Sequence, residues 1–229
     1  MIEIIQKNYF IILYSIALVF SIVRYRYYYE SPLKFFPIII AYTLLNEILG
    51  GLIKHIDIFQ IIYIDLEQHS QYNKLIYNIF DIIFFLYFFY VFWRSMHKEI
   101  HKNYVKYGAV LFSVISIVNI SFEDIFLSTP MYCIFSGSLI LLGITILYLK
   151  QVQKATRIIK SRYNILMLWI CIGFLIFYPF YPFLVYIIEN DPQIYYEYHI
   201  LTILHILIVC MYTCFILGFL RMTKGRIAQ

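Results

Sequence analysis

In the stretch Leu44–Ile53, LLNEILGGLI, a carboxylate at Glu47 interrupts a run otherwise apolar enough for lipid; a second acid, Asp81, and an imidazole, His205, interrupt two other such runs. These residue types do acid–base chemistry, ligate metals or pair across helices. An acidic side chain in hydrocarbon costs about 2.5–3.5 kcal/mol on insertion scales, so such groups line cavities or pair with one another. Residues three or four apart share a helix face, which sorts the polar positions into three stripes: Thr43, Asn46, Glu47 and Gly50; Asn78 and Asp81 beneath Lys74; and Tyr198, Thr202, His205 and Tyr212. The opposite faces are almost wholly Ile, Leu, Phe and Val, so the stripes are expected to face inward.

Three kinds of chemistry suit this set. Glu47 and Asp81 as protonated partners would be interhelical hydrogen-bond donors, ordinary glue in bundles. A cavity with converging polar groups would instead bind a small ligand or ion. Catalysis through a metal needs about three His, Cys or carboxylate ligands and an open position, and Glu47, Asp81 and His205 are the available set. His199 and His205 lie about 120° apart around a helix and cannot share one ion. HExxH, GxSxG, GxGxxG and Walker patterns are absent from the sequence, so the residues carry no cofactor signature.

The elements that must position these groups are membrane spans. The 229 residues are 62% hydrophobic and 14% charged, where soluble domains carry roughly a quarter charged. Seven apolar blocks, near 5–24, 35–53, 75–93, 104–121, 127–149, 163–188 and 195–220, each suffice for the roughly 20 residues a spanning helix needs. The expectation is an all-α integral membrane protein, one domain, a seven-helix bundle. The first block lacks a small-residue cleavage site and is followed by Arg24 and Arg26, which favours a retained helix. Ile56–Leu66 is too short to span and reads as an interfacial or re-entrant segment. Cys133, Cys171, Cys210 and Cys214 fall inside spans without metal-finger spacing and read as reduced packing residues.

Fifteen of the eighteen basic residues fall in alternate connections and the tail: Arg24, Arg26 and Lys34; Arg94, Lys98, Lys102 and Lys106; Lys150, Lys154, Arg157, Lys160 and Arg162; Arg221, Lys224 and Arg226. The positive-inside rule then sets the N-terminus outside and the C-terminus in the cytoplasm. The net charge of +5 follows from that sorting and from contact with acidic lipid, and implies no direct nucleic-acid partner. With this threading, Glu47, Asp81 and Tyr181 reach one level, roughly 9 Å below the outer surface for the two acids, and His205 lies roughly 13 Å deep. Pro179 and Pro182 are expected to kink the sixth span at that level. Lys150, Lys154 and Arg157 share a face at i, i+4 and i+7, so a helical extension of the fifth span would present a basic ridge, with Lys160 and Arg162, to a cytosolic protein.

The order TLLNEILGG, YNKLIYNIFDIIFFLYFFYVFW, FSGSLILL (Phe135–Leu142) and YTCFILGFLR resembles a family of small bacterial multipass membrane proteins to which no catalytic residue is assigned. In size and helix content the chain is also similar to the membrane accessory proteins encoded beside the RNA-targeting nuclease of type VI-B CRISPR–Cas loci, a likeness that implies a non-enzymatic modulator of antiviral defence. Glu47, Asp81 and His205 resemble the site of intramembrane metal hydrolases of the ceramidase and progestin-receptor type. The pattern departs from theirs, because the seventh span lacks H-x3-H and Thr43 and Glu47 stand where Ser and His are expected. The favoured expectation is a non-enzymatic sensor or accessory regulator of the bacterial inner membrane, without a cofactor. Its expected contacts are the bilayer, a small ligand in the outer-leaflet cavity, a cytosolic partner at the basic loops and further copies in an oligomer. The alternatives are a metal-dependent hydrolase or a pore-forming effector.

Overall fold

The computed structural model describes residues 9–54, 66–122, 128–154 and 162–222, and helices dominate them. Seven long or apolar elements follow the seven expected blocks: α1 (Tyr9–Val23), α2 (Phe36–Lys54), α3 (Leu66–Ser95), α4 (Glu99–Phe122), α5 (Met131–Lys154), α6 (Arg162–Phe177) continuing into α7 (Tyr181–Asn190), and, after a short α8 (Pro192–Glu197), α9 (Ile200–Arg221). Six of the stretches are long and apolar enough to cross a membrane, α6 and α7 counting as one; α1, apolar from Phe10 to Val23, is shorter. The protein is a multipass helical membrane protein. Large apolar side chains on the perimeter, such as Val19, Ile38, Ile117 and Leu139, are exposed and suit contact with lipid tails.

Local sequence explains the interruptions. Pro179 and Pro182 cannot donate backbone hydrogen bonds, so the carbonyls of Leu175 and Tyr178 lose their helical partners and the expected kink becomes a full break between α6 and α7. Asp191 caps α8 by accepting from the Ile194 N–H at 3.1 Å, with Pro192 in the first turn. The seventh expected block therefore does not start as a helix at residue 195 that runs unbroken. His199 adopts a left-handed conformation (φ 49°, ψ 46°) between α8 and α9, a region that His enters more readily than most residues. Ile56–Leu66 lies outside the described residues except for Leu66, where α3 begins.

Helices α1, α2, α3, α5, α6 and α9 close into a ring, and α4 packs outside it on α3 and α5. The middle of the ring is filled by rings. Phe84, Phe85, Phe88, Phe89 and Phe92 of α3 meet Phe36, Phe112, Tyr148, Phe174 and Tyr178, Phe88 and Phe174 standing edge-to-face at 4.6 Å, and Phe215 packs in turn on Phe36 and Phe174. Lipid tails are as apolar as Leu, so helices associate through close packing rather than a hydrophobic force, and such ring pairs contribute about 0.5–1.5 kcal/mol each. Glycines permit the closest approaches. A Cβ at Gly137 of α5 would stand 2.7 Å from the Phe85 ring, and one at Gly218 of α9 would stand 2.9 Å from Leu166 and 3.0 Å from Trp169. Both glycines lie in the motifs FSGSLILL and YTCFILGFLR.

Contacts also define two ends. At one, Lys74, Ser128, Thr129 and Glu189 meet. At the other, Ser95 meets Tyr163, Tyr28 packs at a tilt against Phe219, and Arg221 lies over Trp169. The second end collects the basic connections and is called the basic end here, the first the polar end.

Candidate functional site at the polar end

The break after α6 places two tyrosines against the acid of α3. Tyr178 is buried in the ring, and Tyr181, at the start of α7, donates its hydroxyl to Asp81 Oδ2 at 3.1 Å. Two of the residues singled out by sequence therefore meet, and the proline break is what lets α7 present Tyr181. A second pair joins α9 to α2, where the Tyr212 hydroxyl donates to Thr43 Oγ1 at 3.2 Å while Thr43 donates to the Ile39 carbonyl at 3.0 Å. A third contact joins α3 to α2, the Tyr77 hydroxyl donating to the Asn46 carbonyl at 3.3 Å.

Glu47 and Asn46 differ from these satisfied groups. The Asn46 side chain is 2% exposed, yet neither its amide nitrogen nor its amide oxygen has a hydrogen-bond partner among the described residues. Beside it, the half-buried Glu47 carboxylate lies within electrostatic reach of the Tyr77 and Tyr212 hydroxyls. No hydrogen bond joins Glu47 to Asp81 among the described residues, so the two acids serve different neighbours. An unmet buried amide costs about 1–3 kcal/mol, and polar groups left unmet in a packed interior call for an explanation.

Nearer the surface of this end, a polar tier closes over the cluster. Asn78, 4% exposed, donates its amide to the Ser128 carbonyl at 3.0 Å. Glu189 of α7 pairs with Lys74 at 3.4 Å and accepts from the Thr129 hydroxyl at 2.7 Å. An exposed ion pair of this kind contributes little energy. Its effect is geometric, tying the start of α5 and the end of α7 to α3.

The remaining residues of the expected cluster stand apart. His205 packs edge-on against the Phe10 ring of α1, centroids 4.6 Å apart, and Thr202 is exposed on the bundle's surface. The turn at His199 resets the helical phase, so Tyr198 does not continue the α9 stripe, and Tyr198 is 60% exposed. Among the described residues no three His, Cys, Asp or Glu side chains gather as a metal would require, so Glu47, Asp81 and His205 do not form a ligand set. Cys133, Cys171 and Cys214 are buried and Cys210 is half-buried, all four as free thiols. Sequence reasoning passed over Tyr77. Its position four residues before Asp81 was the available signal, hidden among 24 tyrosines.

At the basic end, α5 does extend through Lys154, and Lys150 is exposed on it. Arg162 opens α6, while Arg157 and Lys160 lie outside the described residues. No known protein family, curated protein or solved structure matches the chain. The site is read from its own geometry.

Proposed function

We propose that this membrane protein is a non-enzymatic sensor or accessory regulator whose polar-end cluster receives a small ligand. The observation that carries the reading is the pair Asn46 and Glu47: a buried amide whose two polar atoms have no hydrogen-bond partner among the described residues, beside a half-buried carboxylate. Hydrogen-bonded glue explains Asp81–Tyr181 and Thr43–Tyr212, but it leaves Asn46 unexplained. Groups held ready and unsatisfied on packed helices suit a ligand that supplies the missing bonds. The reading includes a seventh span through α1 and a bacterial inner-membrane location, with the N-terminus outside and the C-terminus cytoplasmic, supported by the gathering of basic residues at one end.

Output would pass to a cytosolic partner through the ridge at Lys150, Lys154, Arg157, Lys160 and Arg162, and the likeness to the type VI-B accessory proteins supplies the context, an RNA-guided defence system. The test is co-expression of the protein with such a nuclease and measurement of phage protection. Wild type should change protection, and Glu47→Gln and the triple variant Lys154→Gln, Arg157→Gln, Lys160→Gln should each abolish the change. Loss in Glu47→Gln alone would remove the docking ridge from the account. Wild type without effect would remove the defence context.

A further inference from the structure

A polar concavity lies at the basic end. After α1 the chain makes two short 3-10 turns, Tyr25–Tyr27 and Pro32–Phe35, and the segment between them frames a pocket of about 280 Å³. Its floor is fixed. Tyr28 is 2% exposed and donates to the Ser21 carbonyl at 2.7 Å, and the Tyr163 hydroxyl is hydrogen-bonded to Ser95. Ser31 locks the turn by donating to the Tyr28 carbonyl at 2.6 Å and accepting from the Leu33 N–H at 3.2 Å.

The rim carries charge of both signs. Arg26 donates to the Tyr27 hydroxyl at 2.7 Å, and the guanidinium carbons of Arg24 and Arg26 lie 5.7 and 4.8 Å from the Tyr27 ring centre. The hydrogen bond from Arg26 leads the effects that hold the Tyr27 phenol below its usual range, a mark of positive potential at this edge. Arg24 Nε is buried and has no hydrogen-bond partner among the described residues. Glu30, also on the rim, accepts from the Tyr29 hydroxyl at 2.8 Å. Tyr25 and Tyr29 stand half out of the surface around it, as tyrosines do at a membrane–water boundary.

A ligand complementary to this rim carries an anion for the guanidinium fork and a cation for the carboxylate. Inorganic phosphate meets only the first need and is repelled by Glu30. An ammonium also gains from nearby tyrosine faces. We propose that the pocket holds the headgroup of a phosphoethanolamine-type lipid, its phosphate on Arg26 with Arg24 behind it and its ammonium on Glu30. The site is separate from the polar-end cluster and does not depend on its role.

The test is native mass spectrometry of the full chain in detergent with added phosphatidylethanolamine or phosphatidylglycerol. Phosphatidylethanolamine should bind in preference. Arg26→Gln should weaken it about tenfold, as loss of a charge-assisted hydrogen bond does, and Glu30→Gln should erase the preference over phosphatidylglycerol. Both side chains are exposed, and unchanged circular dichroism would confirm that each variant folds. Equal binding of the two lipids by wild type, or full retention in Arg26→Gln, would overturn the proposal. So would displacement of the lipid by an equal concentration of soluble phosphoethanolamine, which would make a free metabolite the ligand.

Discussion

The middle of the bundle and its polar end are built on opposite terms. In the middle, the α3 phenylalanines meet rings from α2, α4, α5 and α6, and each buried ring has its contacts. At the polar end, tyrosine hydroxyls satisfy Asp81 and Thr43, yet Asn46 keeps two buried side-chain atoms without a hydrogen bond among the described residues. Rings without polar atoms can settle into any well-packed arrangement; a buried amide has no such freedom. Stability alone does not account for that amide, and this is the difference on which the proposed ligand site at the polar end rests.

The contrast can be broken first in the middle. Phe88→Ala should cost about 3–5 kcal/mol, the usual range for a buried ring removed to leave a cavity, measured as unfolding in detergent or bicelles. A loss under about 1 kcal/mol would mean that the rings are filler rather than the framework. Gly137→Leu should cost less, about 1–3 kcal/mol from overpacking against Phe85, in the same assay. Unchanged stability would show that α3 and α5 are not as close as 2.7 Å between a Cβ and the Phe85 ring implies.

At the polar end the effects are smaller. Asp81→Asn and Tyr181→Phe should couple in a double-mutant cycle by about 0.6 kcal/mol, the average for hydrogen bonds between membrane helices. Glu47→Gln combined with Asp81→Asn should be additive, because no hydrogen bond joins those acids among the described residues. Coupling in the second cycle and none in the first would reverse the assignment of partners.

Much of this contrast was legible in the sequence. Block length located the spanning helices, and the proline pair located the break between α6 and α7, because both depend on local chemistry. The stripe on α2 held Thr43, Asn46 and Glu47, and that on α3 held Asn78 and Asp81. What was not legible depended on how helices face one another. Periodicity gives a polar face but not its neighbour, so Asp81 could be matched by depth with Glu47, whereas the structure bonds it to Tyr181. The α9 stripe failed at Tyr198 because the left-handed His199 that resets the helical phase has no strong sequence signature, and at Thr202 because ten residues of helix turn it about 80° away from Tyr212. Tyr27 and Glu30 carried no spacing signal, since their pocket is made by two short turns folding back on Tyr163.

The central claim is that Asn46 is kept for a ligand rather than for the fold, and the stability of Asn46→Leu in the ligand-free protein tests it most directly. Leucine matches asparagine in the number and branching of its side-chain heavy atoms, although it is bulkier, and it removes two buried polar atoms that have no hydrogen-bond partner among the described residues. The account predicts that Asn46→Leu unfolds with about 1 kcal/mol more resistance than wild type, the relief of an unsatisfied buried group, while losing the cellular response. A variant destabilised by a comparable amount would contradict it and return Asn46 to the structural framework of the bundle.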